Sequence, residues 1–306
     1  MSGAYWIRRV LRALLTAAGV VLLVFLLVRL APGDPVDAML GETASAADRA
    51  AMRARLHLDA PWGEQLLAFA GDVASGTLGR SFRSGRPVAE HLGEVAGPTV
   101  VLALASLLLA LLLAIPLGAL AALRGGATDG AARTFAVLGL AVPNMWLGPM
   151  LLWLFAMKLG WLPLPAEPSP LALVLPVVTL GTALSASLMR QTRGAVLRTI
   201  ASPAFIAARA KGLRTRTLLL RHAIRPSLFP VLTLAATQLG ALFAGAVVVE
   251  QIFERPGIGG LFVEAFFTRD LPMIQGVMVV VTLAVVGVQL LLDVAYAALD
   301  PRVRQP

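Results

Sequence analysis

The sequence predicts an all-α membrane protein with six transmembrane helices. Three observations predict it. Hydrophobic residues make up 58% of the 306 and charged residues only 14%, against roughly 25% charge in a soluble domain. Apolar runs long enough to cross a bilayer, about 20 residues each, recur along the chain. The arginines of the short polar segments fall on one side of the membrane when six spans are counted with both termini inside.

The first segment passes from Arg8, Arg9 and Arg12 into an apolar run over 13–28 that continues past Arg29 to Leu30. It has the outline of a signal peptide, but its apolar part is long and no A-x-A site follows. It therefore reads as a retained first span with a cytoplasmic N-terminus. Residues 31–97 form the one soluble-looking region. It opens on APGDP, a turn-rich exit from the membrane, and mixes six arginines with nine acidic residues. Too few apolar residues are present for a large core, so a small helical cap outside the membrane, packed on the spans, is expected. The region is longer than the loops to which the positive-inside count applies, so its arginines do not oppose an outside placement.

The second span is 99–123, where Pro116 and Gly118 predict a kink or close helix packing. Arg124 and Arg133 bracket a Gly-rich inside turn. The third span, 135–157, contains Pro143-Asn144 and Gly148-Pro149. A short outside loop follows over 158–170, with Trp161 at the interface. The fourth span is 171–189 and the fifth 231–249. Residues 250–272 form a second outside loop, and 273–292 the sixth span. Arg302 and Arg304 then lie inside with the C-terminus.

Residues 189–230 are the only long polar stretch of the second half. They carry Arg190, Arg193, Arg198, Arg209, Lys211, Arg214, Arg216, Arg221 and Arg225, with no Asp or Glu. Such a loop between two spans belongs in the cytoplasm. Its centre reads Ala207, Ala208, Arg209, Ala210, Lys211, Gly212. Small residues followed by a helix-ending glycine predict a short, smooth helix that another protein can grip.

Other chemistries are poorly provided for. The net charge of +9 and pI near 11.3 are explained by topology-setting arginine rather than by nucleic-acid binding. There is no Cys, and His57, His91 and His222 are far apart without an HExxH pair, so no metal site or cofactor is expected. No phosphate loop exists, since neither Lys158 nor Lys211 follows the required Gly. Gly79-Arg80-Ser81 is a bare GxS without the second glycine or a histidine partner, which opposes a membrane-embedded hydrolase. Spans two to six, within these limits, contain no ionisable residue, and this argues against the alternative of an ion-coupled secondary carrier. Asn144, beside a proline that frees backbone carbonyls, and Gln238 are the polar candidates for a pathway. In the turn-rich segment 250–260, Glu250 and Glu254 are candidates for an outer gate.

The run AARAKGL (207–213) followed by RHAIRPSLFPV (221–231) resembles the cytoplasmic coupling loop of binding-protein-dependent ABC import permeases, in particular the dipeptide/oligopeptide/nickel branch. The broad family begins this loop with Glu-Ala-Ala. The Glu position falls here on Ile206, as is common in that branch. The likeness covers nearly the whole chain: RLAPGDP (29–35), LHLDAPWGEQ (56–65), GTLGRSFRSGRPV (76–88), IPLGALAALRGG (115–126), LGWLP (159–163), LPVVTLG (175–181), VVVEQIFERPGIGGL (247–261), RDLPMIQG (269–276) and LDPRVR (299–304) all match in order. Members often carry Trp before the PGIG turn, where this chain has Arg255.

The resemblance implies a type I importer permease fold in a bacterial inner membrane. It implies an N-terminal helix and external segment over 1–94, a permease domain over 95–300 and a cytoplasmic tail over 301–306. It implies pairing with a second homologous permease, two ABC ATPase subunits docked on the cytoplasmic loops, and an external solute-binding protein that delivers peptides, nickel chelates or glutathione-like solutes. The helix ending at Gly212 would then sit in an ATPase cleft, Arg209 and Lys211 would meet acidic groups there, and ATP would be hydrolysed by the partners. Glu250 and Glu254 would face the binding protein or close the outer gate.

Overall fold

The computed structural model describes residues 3–30, 34–41, 44–165 and 169–299, and its regular structure is helical throughout. The expected tail, with Arg302 and Arg304, lies outside the described residues. Contacts group the chain into two compact units: the described residues up to Gly97 together with those from Pro256, and Pro98–Arg255.

In the first unit, α1 (Gly3–Leu30) packs on α14 (Leu271–Leu299) and on α4 (Trp62–Ser75). The segment between the first two spans is helical as expected, with α2 (Pro35–Leu40) and α3 (Ala46–Arg55) preceding α4. Asp34 caps α2 by accepting from Val36 N, and Ser45 caps α3 by accepting from Asp48 N, each satisfying an amide with no partner inside its helix. The core joins Val24, Phe25 and Val28 of α1 to Phe69, Leu78, Val88, Met273, Ile274 and Val277, and α13 (Ile258–Thr268) adds Ile258 and Ala265. The Phe25 and Phe69 rings stack 6.3 Å apart. Asp270, buried at the start of α14, accepts 2.5 Å from Ser81 Oγ and 3.1 Å from Phe82 N.

The second unit is built on α8 (Val174–Ile200), which packs against α6 (Gly126–Ala141), α7 (Asn144–Leu151), α11 (Arg225–Thr237) and α12 (Leu239–Ile252). Leu180, Leu184, Leu188 and Met189 of α8 share a core with Leu102, Ala110 and Ala114 of α5 (Val88–Arg124) and with Val231, Leu242, Val249 and Phe253. On another face of α5, Leu104, Leu108 and Leu112 are all more than half exposed. Their fourfold spacing makes a stripe that lipid or a protein partner must cover.

Four of the expected spans are long single helices, over Leu11–Leu30, Val88–Arg124, Pro170–Ile200 and Leu271–Leu290. The third is a bent pair: α6 and α7, the latter continuing as a π-helix over Leu152–Lys158, are turned by 100°. Pro143 accounts for the break, because the residue before a proline is driven from helical to extended backbone, and Val142 has φ −83° and ψ 115°. The expected fifth span, 231–249, falls on two shorter helices, α11 and α12, of 13 and 14 residues, which meet at Gln238, so among the described residues four helices, or five with the bent pair, are long and apolar enough to cross a membrane. The fourth helix also runs beyond its expected end at 189, to Ile200, so that Arg190, Arg193 and Arg198 ride on α8.

Candidate functional site

After α8 the chain makes a compact helical hairpin. Ser202 caps α9 (Pro203–Ala210) by accepting from Phe205 N, and Pro203 occupies the first turn, where its missing N–H costs nothing. Lys211 N donates to Ala207 O at 3.1 Å, and Gly212, at φ +71°, donates from its N to Arg209 O at 3.0 Å. Glycine takes this left-handed backbone without steric cost. The chain then passes through α10 (Thr215–Thr217) and a π-helical stretch, Leu218–Ile224, into α11.

Eight residues are too few for a helix to hold its shape in water, so α9 depends on what lies beneath it. Phe205 and Ala208 are buried against Leu218 and Ala223, with Ile200 alongside. At the base, Thr199 Oγ1 and Ser227 Oγ are hydrogen-bonded at 2.9 Å, which ties the end of α8 to α11. The outward residues are Ala207, Arg209, Ala210, Lys211 and Gly212, with Ile206 57% exposed. Of the six candidates, Ala208 thus packs inward and five face out. Arg209, Lys211, Arg214, Arg216, Arg221 and Arg225 are all exposed and form no ion pair among the described residues.

The basic stretch does contain one anchored cation. Arg193 donates from Nη2 to Asp129 Oδ2 at 2.9 Å and also contacts Oδ1 through Nε, while Arg133 joins the same carboxylate. Asp129 is buried on α6, so this cluster fastens α6 to α8. Sequence reasoning treated Arg193 as a topology signal and passed over Asp129, because their separation of 64 residues carries no local pattern.

The four pathway and gate candidates are dispersed. Asn144 opens α7 at the bend, and its Oδ1 is buried without a hydrogen-bond partner. Its Nδ2 lies 3.9 Å from where a Cβ on Gly245 would stand, so α12 passes close by. Gln238, at the α11–α12 junction, donates from Nε2 to Ser187 Oγ at 3.4 Å. Glu250 was expected in the outside loop but lies in the last turn of α12, 2% exposed, accepting 2.5 Å from Thr99 Oγ1 of α5. The helix runs three residues past the predicted end of the span, and the Thr99 hydroxyl gives the buried carboxyl a partner. Glu254 is exposed, with the left-handed φ of +46°.

Comparison with known proteins adds an independent line. A family model described as "Binding-protein-dependent transport system inner membrane component" matches residues 114–305. The chain is 37% identical over 301 residues to the glutathione transport system permease protein GsiC of Pectobacterium atrosepticum, covering 98% of both chains. It is 36% identical to the probable peptide ABC transporter permease protein y4tP of Sinorhizobium fredii, covering 99% of both. The oligopeptide transport system permease protein AppB of Bacillus subtilis is also 36% identical, over 98% of this chain and 99% of its own. Among solved structures, an amino acid ABC transporter crystallised with histidines aligns with a TM-score of 0.54 at 14% identity, covering 69% of this chain and 94% of that one. That last likeness concerns the fold.

Proposed function

The chain belongs to the family of binding-protein-dependent transport system inner membrane components, and from that premise we propose how it is driven and what it carries. It is a multi-pass permease subunit of an ABC importer. In our reading both termini are cytoplasmic, residues 1–94 form the first span and external segment, and 95–300 form the permease domain. The chain pairs with a second, homologous permease to line the pathway. Two ATPase subunits dock on the cytoplasmic side and an external binding protein delivers the solute. The relatives named for peptide, oligopeptide and glutathione transport support a small peptide or a peptide-like compound as cargo.

The observation that carries the coupling role is α9 itself. Its inner face is fixed by Phe205 and Ala208, its outer face is Ile206, Ala207 and Ala210, and the cations around it lack counter-charges within the described chain. A slim apolar face lets a partner's cleft approach closely, and Arg209 and Lys211 supply attraction for acidic groups at its rim. Gly212 ends the helix so sharply that it projects as a unit. Closure of the nucleotide-bound ATPase pair then moves α9 as a rigid lever, and α8 and α11 carry the motion into the pathway. Asn144 and Gln238 line that pathway, and Glu250 and Glu254 act at its outer gate.

The test co-expresses the chain with its ATPase subunits. Arg209→Glu combined with Lys211→Glu reverses the local charge, and Gly212→Asp strains the cap. Both variants are expected to insert normally, to recover ATPase subunits at about a tenth of the wild-type yield or less, matching the loss of one or two charge-assisted contacts, and to lose transport. Undiminished ATPase recovery together with undiminished transport would refute the docking role.

A further inference from the structure

The first unit contains an open cavity of about 880 Å³ that none of the roles above uses. It lies between the α3–α4 segment, the loop after α4 and the start of α14. Four guanidinium groups line it, from Arg29, Arg55, Arg80 and Arg83, against the single carboxylate of Asp72. The four are unequally engaged. Arg29 donates from Nη2 to Gln65, but its buried Nε has no partner. Arg80 donates to Gly85 O at 3.0 Å and Arg83 meets Glu264 at 3.4 Å. Arg55 is exposed and forms no ion pair among the described residues.

Gln275 supplies the second observation. It lines the same cavity from α14, is 5% exposed, and its Nε2 has no hydrogen-bond partner. A buried amide donor left unpaired is destabilising, so its place at a cavity wall marks where an acceptor arrives. The free donors here are the Gln275 amide, the Arg29 Nε and the Arg55 guanidinium, and they call for an anionic oxygen. Phe69, Leu56 and Leu58 on the same walls offer apolar surface to whatever bears it.

We propose that this cavity binds a small peptide through its free α-carboxylate, with Gln275, Arg29 and Arg55 as donors and the apolar wall receiving a side chain. The proposal rests on the reading of the chain as a permease for peptide-like cargo. A planar carboxylate pairs with guanidinium and amide donors by charge-assisted hydrogen bonds, and the volume exceeds what a dipeptide needs.

The test uses the full chain in nanodiscs of zwitterionic lipid, with radiolabelled alanylalanine and alanylalanine amide as probes. Saturable binding of the acid is expected, with the amide bound about tenfold more weakly or worse, the loss of one charge-assisted bond. Gln275→Leu and Arg55→Gln are expected to weaken binding of the acid by a similar factor. Arg55 is exposed, so R55Q decides the matter should Q275L fail to fold. Equal binding of acid and amide, wild-type binding by R55Q, or no saturable binding overturns the proposal. So does abolition of binding when phosphatidylglycerol is added to the disc, because the cavity is then a lipid phosphate site. ATP-driven uptake by the complete complex is measured separately. Uptake of alanylalanine with unaltered binding in the variants defeats the cavity alone, whereas specific binding without any peptide uptake defeats the transport reading alone.

Discussion

Gly118 shows what a missing side chain does in a packed membrane helix. A Cβ at this position would stand 2.6 Å from the Met189 carbonyl oxygen and 2.8 Å from Thr192 Cβ, both on α8. Neither can yield without moving helix backbone. Gly118→Ala is therefore expected to destabilise the chain by about 1–3 kcal/mol, the usual cost of overpacking. Gly287, on α14, has open space around its missing Cβ, and Gly287→Ala is expected to leave stability unchanged or raise it by up to about 1 kcal/mol through helix propensity. Thermal unfolding of the two variants in detergent checks the contrast, and equal melting temperatures would contradict it. The close packing expected from a glycine in mid-span is present at Gly118, because the sequence signal and the physical cause are the same absent atom. Asn144 differs. Its type and its proline neighbour were legible, but its unpaired Oδ1 depends on which helix passes beside it.

At the scale of the element, α9 combines a local signal with a tertiary one. Ser202, Pro203 and Gly212 bound it by rules that the sequence states openly. Which of its faces is free is set by Leu218 and Ala223, which return beneath it only when the chain doubles back. Phe205 holds it there and does not belong to the outward face. Phe205→Ala is expected to cost about 3 kcal/mol and to loosen α9 without altering the docking surface itself. ATP hydrolysis and transport should then become uncoupled: ATPase subunits are still recovered, while transported solute per ATP falls severalfold. A variant with wild-type stoichiometry would show that α9 does not act as a rigid lever. The bent third span follows a similar division. Pro143 announces a break, and the 100° turn between α6 and α7 is set by how each packs on α8.

At the scale of the whole molecule, contacts distant in sequence fix what the helices carry. Asp270 holds Ser81 and Phe82 across nearly 190 residues while capping α14, with Met273 N 3.4 Å from Oδ1. Asp270→Ala removes an acceptor from a buried hydroxyl and a partly buried amide, at a cost of about 2 kcal/mol. The expected outcome is faster proteolytic cleavage in the 76–88 loop with the α9 region unaffected. Cleavage at the wild-type rate would mean that this clasp does not order the loop. The Asp129–Arg193–Arg133 cluster makes the same kind of link in the second unit, and Thr99–Glu250 another between α5 and α12.

The sequence by itself determined the membrane class, the helical content, most of the span positions and a short helix ended by Gly212. Each follows from composition or from patterns within about 20 residues, where hydrophobic transfer and capping act locally. The order of its motifs also determined the resemblance, and with it the family. Tertiary structure alone decided that Ala208 faces inward, that Glu250 is buried on Thr99, that Asp129 binds Arg193, and that Gln275 lines one cavity with arginines from the other end of the chain. The reason is physical. A polar side chain in an apolar molecule is defined by the partner it finds, and no short-range rule names a partner 64 or 151 residues away.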